Sequence, residues 1–164
     1  GKYAASMEDV IAASKRIEGH GHRTPILTNE TINQLTGKKI FFKCENLQKA
    51  AAFKVRGASN AVFGLTDEEA KIGVATHSSG NHALSLSYAA GQRGIPVTVV
   101  MPRTAPQAKK DAVIGYGGII FIFNDIFDKN SIYFQVIDRQ VFQISQRRIT
   151  GTKIVNCNRN PNFS

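Results

Sequence analysis

Between Gly73 and Gly118 short apolar runs and helical patterns take turns, and this alternation constrains the fold more than any other feature. Val74, Ala75 and Thr76 form a brief apolar run after Gly73. A Ser78-Ser79-Gly80 turn follows, then a helical pattern through Leu84, Leu86, Tyr88 and Ala89 that Gly94 breaks after Arg93. Val97 to Met101 reads as a buried strand closed by Pro102. Pro106 suits the first turn of a helix running through Lys109, Ala112 and Val113, ended by Gly115, Gly117 and Gly118. Such a switch between strand and helix periods implies an α/β fold, with an open, mainly parallel sheet and helices on both faces.

Upstream, Ser6 with Glu8 and Asp9 marks a helix start. Val10, Ile11, Ser14 and Ile17 continue at helical spacing, and Gly19 closes the segment. Arg23-Thr24-Pro25 is extended, because the residue before a proline avoids the α region. Asn29 to Thr36 suits a short helix stopped by Gly37. Ile40, Phe42 and Cys44 alternate with Phe41, Lys43 and Glu45 as in a strand, in which Cys44 packs as a small hydrophobe. Helical spacing returns at Ala58, Ala61, Val62 and Leu65, and Thr66-Asp67-Glu68-Glu69 caps a further helix.

Charge and cysteine content remove several function classes. The net charge of +9 invites a nucleic-acid reading, but the basic residues are scattered apart from Lys38-Lys39, Lys109-Lys110 and Arg147-Arg148. No aromatics are interleaved for base stacking, so nucleic acid is not the expected partner. Cys44 and Cys157 cannot build a disulfide framework. No apolar run is long enough for a bilayer and no secretory pattern opens the chain, so a cytoplasmic protein without membrane association is expected. The start at Gly1, without a methionine, implies a missing N-terminal piece. From Ile119 to Ser164 alanine, leucine, glutamate and histidine vanish, a change of texture that no earlier segment shows.

Two turns carry the chemistry. From Lys43 to Ala58 a strand end passes through a small-residue loop into a helix opened by Phe53 and Lys54. A lysine at the positive end of a helix dipole has its ammonium form disfavoured, one route to an amine nucleophilic enough for Schiff-base chemistry. Taken alone, Lys54 reads first as a solvated lysine and Phe53 as a core residue. The second turn, His77-Ser78-Ser79-Gly80-Asn81-His82, is again a strand end becoming a helix. In open α/β sheets ligands sit at strand carboxyl ends, so the two turns are expected to face one cleft. Ser78 and Ser79 are also ordinary helix caps. His77 and His82, without a third partner, are not expected to bind metal.

With both turns in view the chain resembles the serine racemase and threonine/serine dehydratase family of pyridoxal-phosphate enzymes, of fold type II. The likeness covers Tyr3 to Gly118. It rests on His22-Arg23-Thr24-Pro25, Phe42-Lys43-Cys44-Glu45, the run Phe53 to Ala61, Thr76-His77-Ser78-Ser79-Gly80-Asn81-His82-Ala83, Gly94-Ile95-Pro96 and Tyr116-Gly117-Gly118. The resemblance implies that Lys54 carries pyridoxal 5'-phosphate as a Schiff base, that Phe53 lies against the pyridine ring, and that Asn81 hydrogen-bonds the ring 3-hydroxyl oxygen. It gives the substrate carboxylate to Ser78, Ser79, Gly80, Asn81 and His82, a helix N-terminus suited to an anion. Ser79 becomes the acid/base on the face opposite Lys54. Inversion at Cα needs a proton removed on one face and returned on the other, with the cofactor ring as electron sink. Expulsion of the β-hydroxyl from the same carbanion gives a keto acid and ammonia.

The implied function is serine racemisation with serine β-elimination. Threonine dehydratase is the alternative within the class, and an inactive truncated product acting at most as a binding partner is the alternative outside it. The expected partner is a small amino acid, serine or threonine, and the full-length enzyme is expected to be a homodimer. The resemblance also implies a nucleotide effector site near Asn29, Glu30, Thr31, Lys49 and Tyr116, with ATP and Mg2+ as effectors of the full-length enzyme. Leu84 stands where the animal enzymes carry a glutamine and cannot supply its hydrogen bonds.

Two departures stand out. Ala51 occupies a position where the family usually has glycine, and at positive φ alanine costs roughly 1 kcal/mol. The family's glycine-rich phosphate loop, its partner for the pyridine nitrogen and its metal carboxylates belong to a C-terminal half with no counterpart here, so impaired activity is expected. The expected organisation is the N-terminal part of the large cofactor domain over residues 1–77, a small-domain core over 78–118, and a tail over 119–164 that is not native family sequence.

Overall fold

A computed structural model of the chain describes residues 5–123. The readings that fall on the tail beyond, Cys157 included, lie outside the described residues. The first helix, α1 (Met7–Arg16), opens with a reciprocal cap: Ser6 Oγ accepts from the Asp9 N–H, and Asp9 accepts from the Ser6 N–H. Strand β1 (Ile26–Leu27) leads to α2 (Glu30–Thr36), where Asn29 Oδ1 accepts from the Ile32 N–H and Gly37 closes the helix at φ 62°. Then come β2 (Phe42–Lys43), α3 (Lys54–Phe63) and α4 (Asp67–Ile72), the last opened by a Thr66–Glu69 cap of the same reciprocal kind. Strand β3 (Val74–His77), α5 (Asn81–Arg93), β4 (Val97–Pro102), α6 (Gln107–Gly115) and β5 (Ile119–Phe123) complete the described chain. Pro106 immediately precedes α6 and Gly94 ends α5 in the left-handed region.

Strands β3, β4 and β5 lie side by side in that order, all parallel, with Val74 opposite Val97 and Thr98 opposite Ile119. As the central strand, β4 buries Val97, Val99, Val100 and Met101, which is why it reads as an apolar run broken only at Thr98. The first five residues of the compositionally distinct segment form β5, with Ile119 and Ile122 exposed. Helices α3 and α5 pack on each other, Ala58 and Val62 meeting Ala83, Leu86 and Ala90 in a core shared with Val74 and Met101. Packing is therefore continuous across residue 77, since residues on both sides of it fill the same core.

Three local readings change. Strands β1 and β2 pair antiparallel, as two-residue pieces outside the parallel sheet. Cys44 lies beyond β2, not within a strand: its backbone (φ −79°, ψ 67°) turns into a 3-10 turn, and its half-buried thiol donates to the Phe42 carbonyl. The apolar stripe of α1 is real but uncovered, with Val10 and Ile11 exposed. What ties the α1 region to α3 is polar and aromatic, namely Arg16 donating to Asn60 Oδ1 and His20 stacked 3.5 Å from the Phe63 ring.

Candidate active site

The loop before Lys54 is locked in place by residues far apart in sequence. Arg56 grips Glu45 with two nitrogens, Nε to Oε2 at 2.9 Å and Nη2 to Oε1 at 2.8 Å, and reaches the His22 carbonyl at 3.2 Å. Buried Thr24 donates to the same carboxylate. Gln48 Oε1 accepts from the His22 and Lys49 N–H groups, while its Nε2 donates to the His22 carbonyl at 2.8 Å. The Arg56 guanidinium, helped by Thr24, holds the Glu45 carboxyl down at about 2, so it stays ionised at any physiological pH. The His22–Pro25, Glu45 and Arg56 motifs thus form a clamp that sets the entry angle of α3.

Inside the clamp a 3-10 turn (Lys49–Ala51) bends the chain sharply, and both Ala50 (φ 51°) and Ala51 (φ 49°) are left-handed. Cβ sterics disfavour this region for alanine. Ala51→Gly is therefore expected to stabilise the chain by about 0.5–1 kcal/mol, the relief of strain outweighing the extra freedom of an unfolded glycine. Urea unfolding would show a higher midpoint at unchanged slope. A lower midpoint would mean that the turn is not strained.

Lys54 is the first residue of α3 and is half-buried, with its Nζ 5.6 Å from the centre of the Phe53 ring. Phe53 is not a core residue; it is 59% exposed and offers a flat apolar face beside the amine. At the other turn the Ser78 N–H donates to the Val100 carbonyl at 3.1 Å, which continues the β3–β4 pairing. The Gly80 N–H donates to Ser78 Oγ at 3.2 Å. Gly80 itself precedes α5 with no side-chain cap, so neither serine is used as a helix cap, and Ser79 is exposed.

Asn81 Oδ1 accepts from Lys109 Nζ at 2.9 Å. An ammonium can only donate, so the amide oxygen faces Lys109 and the Asn81 Nδ2 is free to donate elsewhere. His82 is half-buried, and its Nε2 has no hydrogen-bond partner among the described residues. Burial lowers the His82 pKa, and the charges of Lys54 and His77 push it the same way, which favours the neutral ring. α3 and the 3-10 turn just before Lys54 both pack against α5, which sets the opening of α3 beside that helix.

The residues expected near a nucleotide effector are carried by three elements. Asn29 caps α2, Glu30 accepts from Gln34 Nε2 at 3.2 Å, and Thr31 is exposed on the same turn. Lys49 lies in the 3-10 turn before Lys54, and Tyr116 follows α6 with its ring edge-on to Tyr88 at 5.6 Å. Leu84 packs against the core. Lys109 is the site residue that sequence reasoning missed. It stood as a position in a helical pattern and half of a basic doublet, and its partner lies 28 positions away.

The sequence profile of the family described as pyridoxal-phosphate dependent enzymes matches residues 17–154. The chain belongs to that family. A β-hydroxyaspartate dehydratase of Paracoccus denitrificans is 65% identical over 72% of this chain and 38% of its own length. The serine racemase of Dictyostelium discoideum is 53% identical over 70% of this chain and 36% of its own. Maize serine racemase superposes with a TM-score of 0.79 at 42% identity, covering 94% of this chain and 44% of that one. The chain thus spans well under half the length of these relatives.

The residues present suit the family's cofactor. A half-buried amine opens α3, a flat ring stands next to it, and the Asn81 amide has a free donor. A buried, unpartnered imidazole nitrogen and the N-terminus of α5 complete a setting that attracts an anion.

Proposed function

We propose that this chain is part of a pyridoxal-phosphate-dependent serine racemase that also eliminates the β-hydroxyl of serine. The observation that carries the reading is the packing of α3, which Lys54 opens, and of the 3-10 turn before it against α5, the helix that follows the Ser78–Gly80 turn. When bound at Lys54, pyridoxal phosphate supplies an electron sink for the carbanion at Cα. The rest belongs to the chain's own residues. Phe53 would lie against the ring and the Asn81 Nδ2 would donate to its 3-oxygen. The N–H groups of the first turn of α5, unpaired within the helix, hold the substrate carboxylate beside Ser78, Ser79, Gly80, Asn81 and His82. Lys54 Nζ moves the α-proton on one face and Ser79 Oγ on the other.

In this reading residues 1–77 and 78–118 contribute to the large and small domains of a homodimeric enzyme. The compositionally atypical segment 119–164 begins with β5. ATP and Mg2+ act as effectors near Asn29, Glu30, Thr31, Lys49 and Tyr116. Threonine dehydration uses the same Lys54 chemistry. A second reading, elimination from a 3-hydroxy amino acid larger than serine, is favoured by the 65% identity to the β-hydroxyaspartate dehydratase.

Ser79→Ala tests the two-face chemistry. In the cofactor-loaded protein the variant is expected to keep exchanging the α-proton of L-serine in deuterated water while forming D-serine at least 100-fold more slowly. D-serine formation at the unsubstituted rate would remove Ser79 from the mechanism.

A further inference from the structure

Gln48 is a buried amide whose two polar side-chain atoms are both committed to backbone. Only 4% exposed, it lies immediately before the turn Lys49–Ala51. Its Oε1 accepts from the His22 N–H at 2.7 Å and from the Lys49 N–H at 2.9 Å, and its Nε2 donates to the His22 carbonyl at 2.8 Å. The fit is close, since a Cβ on Gly21 would stand 3.3 Å from the same Oε1. The main chain takes part as well, the Gln48 carbonyl accepting from the Ala51 N–H at 2.9 Å. One residue therefore ties both ends of the turn to a segment 26 positions upstream.

The turn so held opposes its own sequence. Ala50 (φ 51°) and Ala51 (φ 49°) are the non-glycine residues at positive φ among those described, and they are consecutive. Left to local preference two alanines would return to negative φ, because Cβ sterics disfavour the left-handed region. Such strain persists only where the surroundings over-determine it. Ala52 and Phe53 alone separate the second alanine from Lys54, so a turn that relaxed would redirect the amine and the ring beside it. We propose that Gln48 is a positioning residue for Lys54: its amide holds two left-handed alanines in place, and the turn aims the amine across the Phe53 ring. The inference rests on Lys54 being the reacting amine. The part played by Gln48 differs from that of Arg56 and Glu45, whose mutual bonds do not include the turn.

The test reads Lys54 in the whole chain without cofactor. Reductive methylation with isotopically labelled formaldehyde leaves each lysine charged and gives it a methyl signal in the nuclear magnetic resonance spectrum. The Lys54 signal, identified by its absence from Lys54→Arg, is expected to stand apart from those of solvated lysines, because Nζ lies 5.6 Å from the Phe53 ring centre. Lys39, at the same 5.6 Å from the Phe41 ring, is displaced too and serves as the internal control. Gln48→Met keeps the side-chain length and removes all three amide bonds; it should abolish the Lys54 displacement and spare that of Lys39. Adding Ala50→Gly and Ala51→Gly to Gln48→Met should restore it, because glycine adopts the left-handed turn unaided. A merely structural Gln48 would lower the urea midpoint and leave the Lys54 signal in place. That result would overturn the assignment, as would a loss that the glycines do not repair or a Lys54 signal that is undisplaced in the unsubstituted chain. Should Gln48→Met not fold, Gln48→Glu takes its place. It keeps an acceptor for both N–H groups, so a persisting displacement supports the assignment and its loss overturns it. Failure of the broader reading shows differently, as pyridoxal phosphate that does not attach to Lys54 while the displacement and its repair by glycine persist.

Discussion

Replacing Gly73 with alanine is expected to cost about 3 kcal/mol or more. Gly73 joins α4 to β3 at φ 89° and ψ −170°, a combination that is essentially glycine's alone. A Cβ there would lie 2.4 Å from the Pro96 carbonyl oxygen and 2.8 Å from the Pro96 Cβ. The carbonyl cannot retreat freely, because it accepts the Val74 N–H at 2.9 Å at the start of the β3–β4 pairing. Backbone strain of about 1–3 kcal/mol therefore adds to an overpacking cost of similar size. Urea unfolding of Gly73→Ala should show a much lower midpoint, and one within error of the unsubstituted chain would contradict the close approach of the two strands. The site should suffer too, since β3 ends at His77 and delivers the Ser78–His82 turn.

The second large effect is chemical. Lys54→Ala is expected to abolish the absorbance of a cofactor Schiff base and all turnover of serine, because among the described residues Lys54 is the lysine that opens an α-helix packed against α5. Stability should change little, by under about 1 kcal/mol, since the clamp of Glu45, Gln48 and Arg56 positions the loop without the amine. A variant that keeps the band, or that unfolds, would show that Lys54 serves the fold and not the chemistry.

Legibility in the sequence followed the range of the interactions. The caps at Ser6 and Thr66 were readable because each closes on a residue three positions away. The parallel sheet was readable because β4, buried along most of its length, must be apolar throughout. The positive φ at Ala51 followed from the family's glycine at that position. What sequence alone could not supply were the contacts that converge across the fold. His22 and Gln48 stand 26 positions apart, and Lys109 and Asn81 stand 28 apart. No local pattern announces either pair. The serines of the second turn show the limit in reverse: their type fits a helix cap, yet Gly80 takes that position.

The most direct measurement is reductive trapping. The chain is incubated with pyridoxal phosphate, reduced with borohydride, digested and mapped by mass spectrometry. One phosphopyridoxyl group on the peptide carrying Lys54, absent from Lys54→Ala, is the expected result. A label spread over surface lysines, or seated on Lys109 or Lys49 instead, would contradict the central claim that the α3 amine is the one that holds the cofactor.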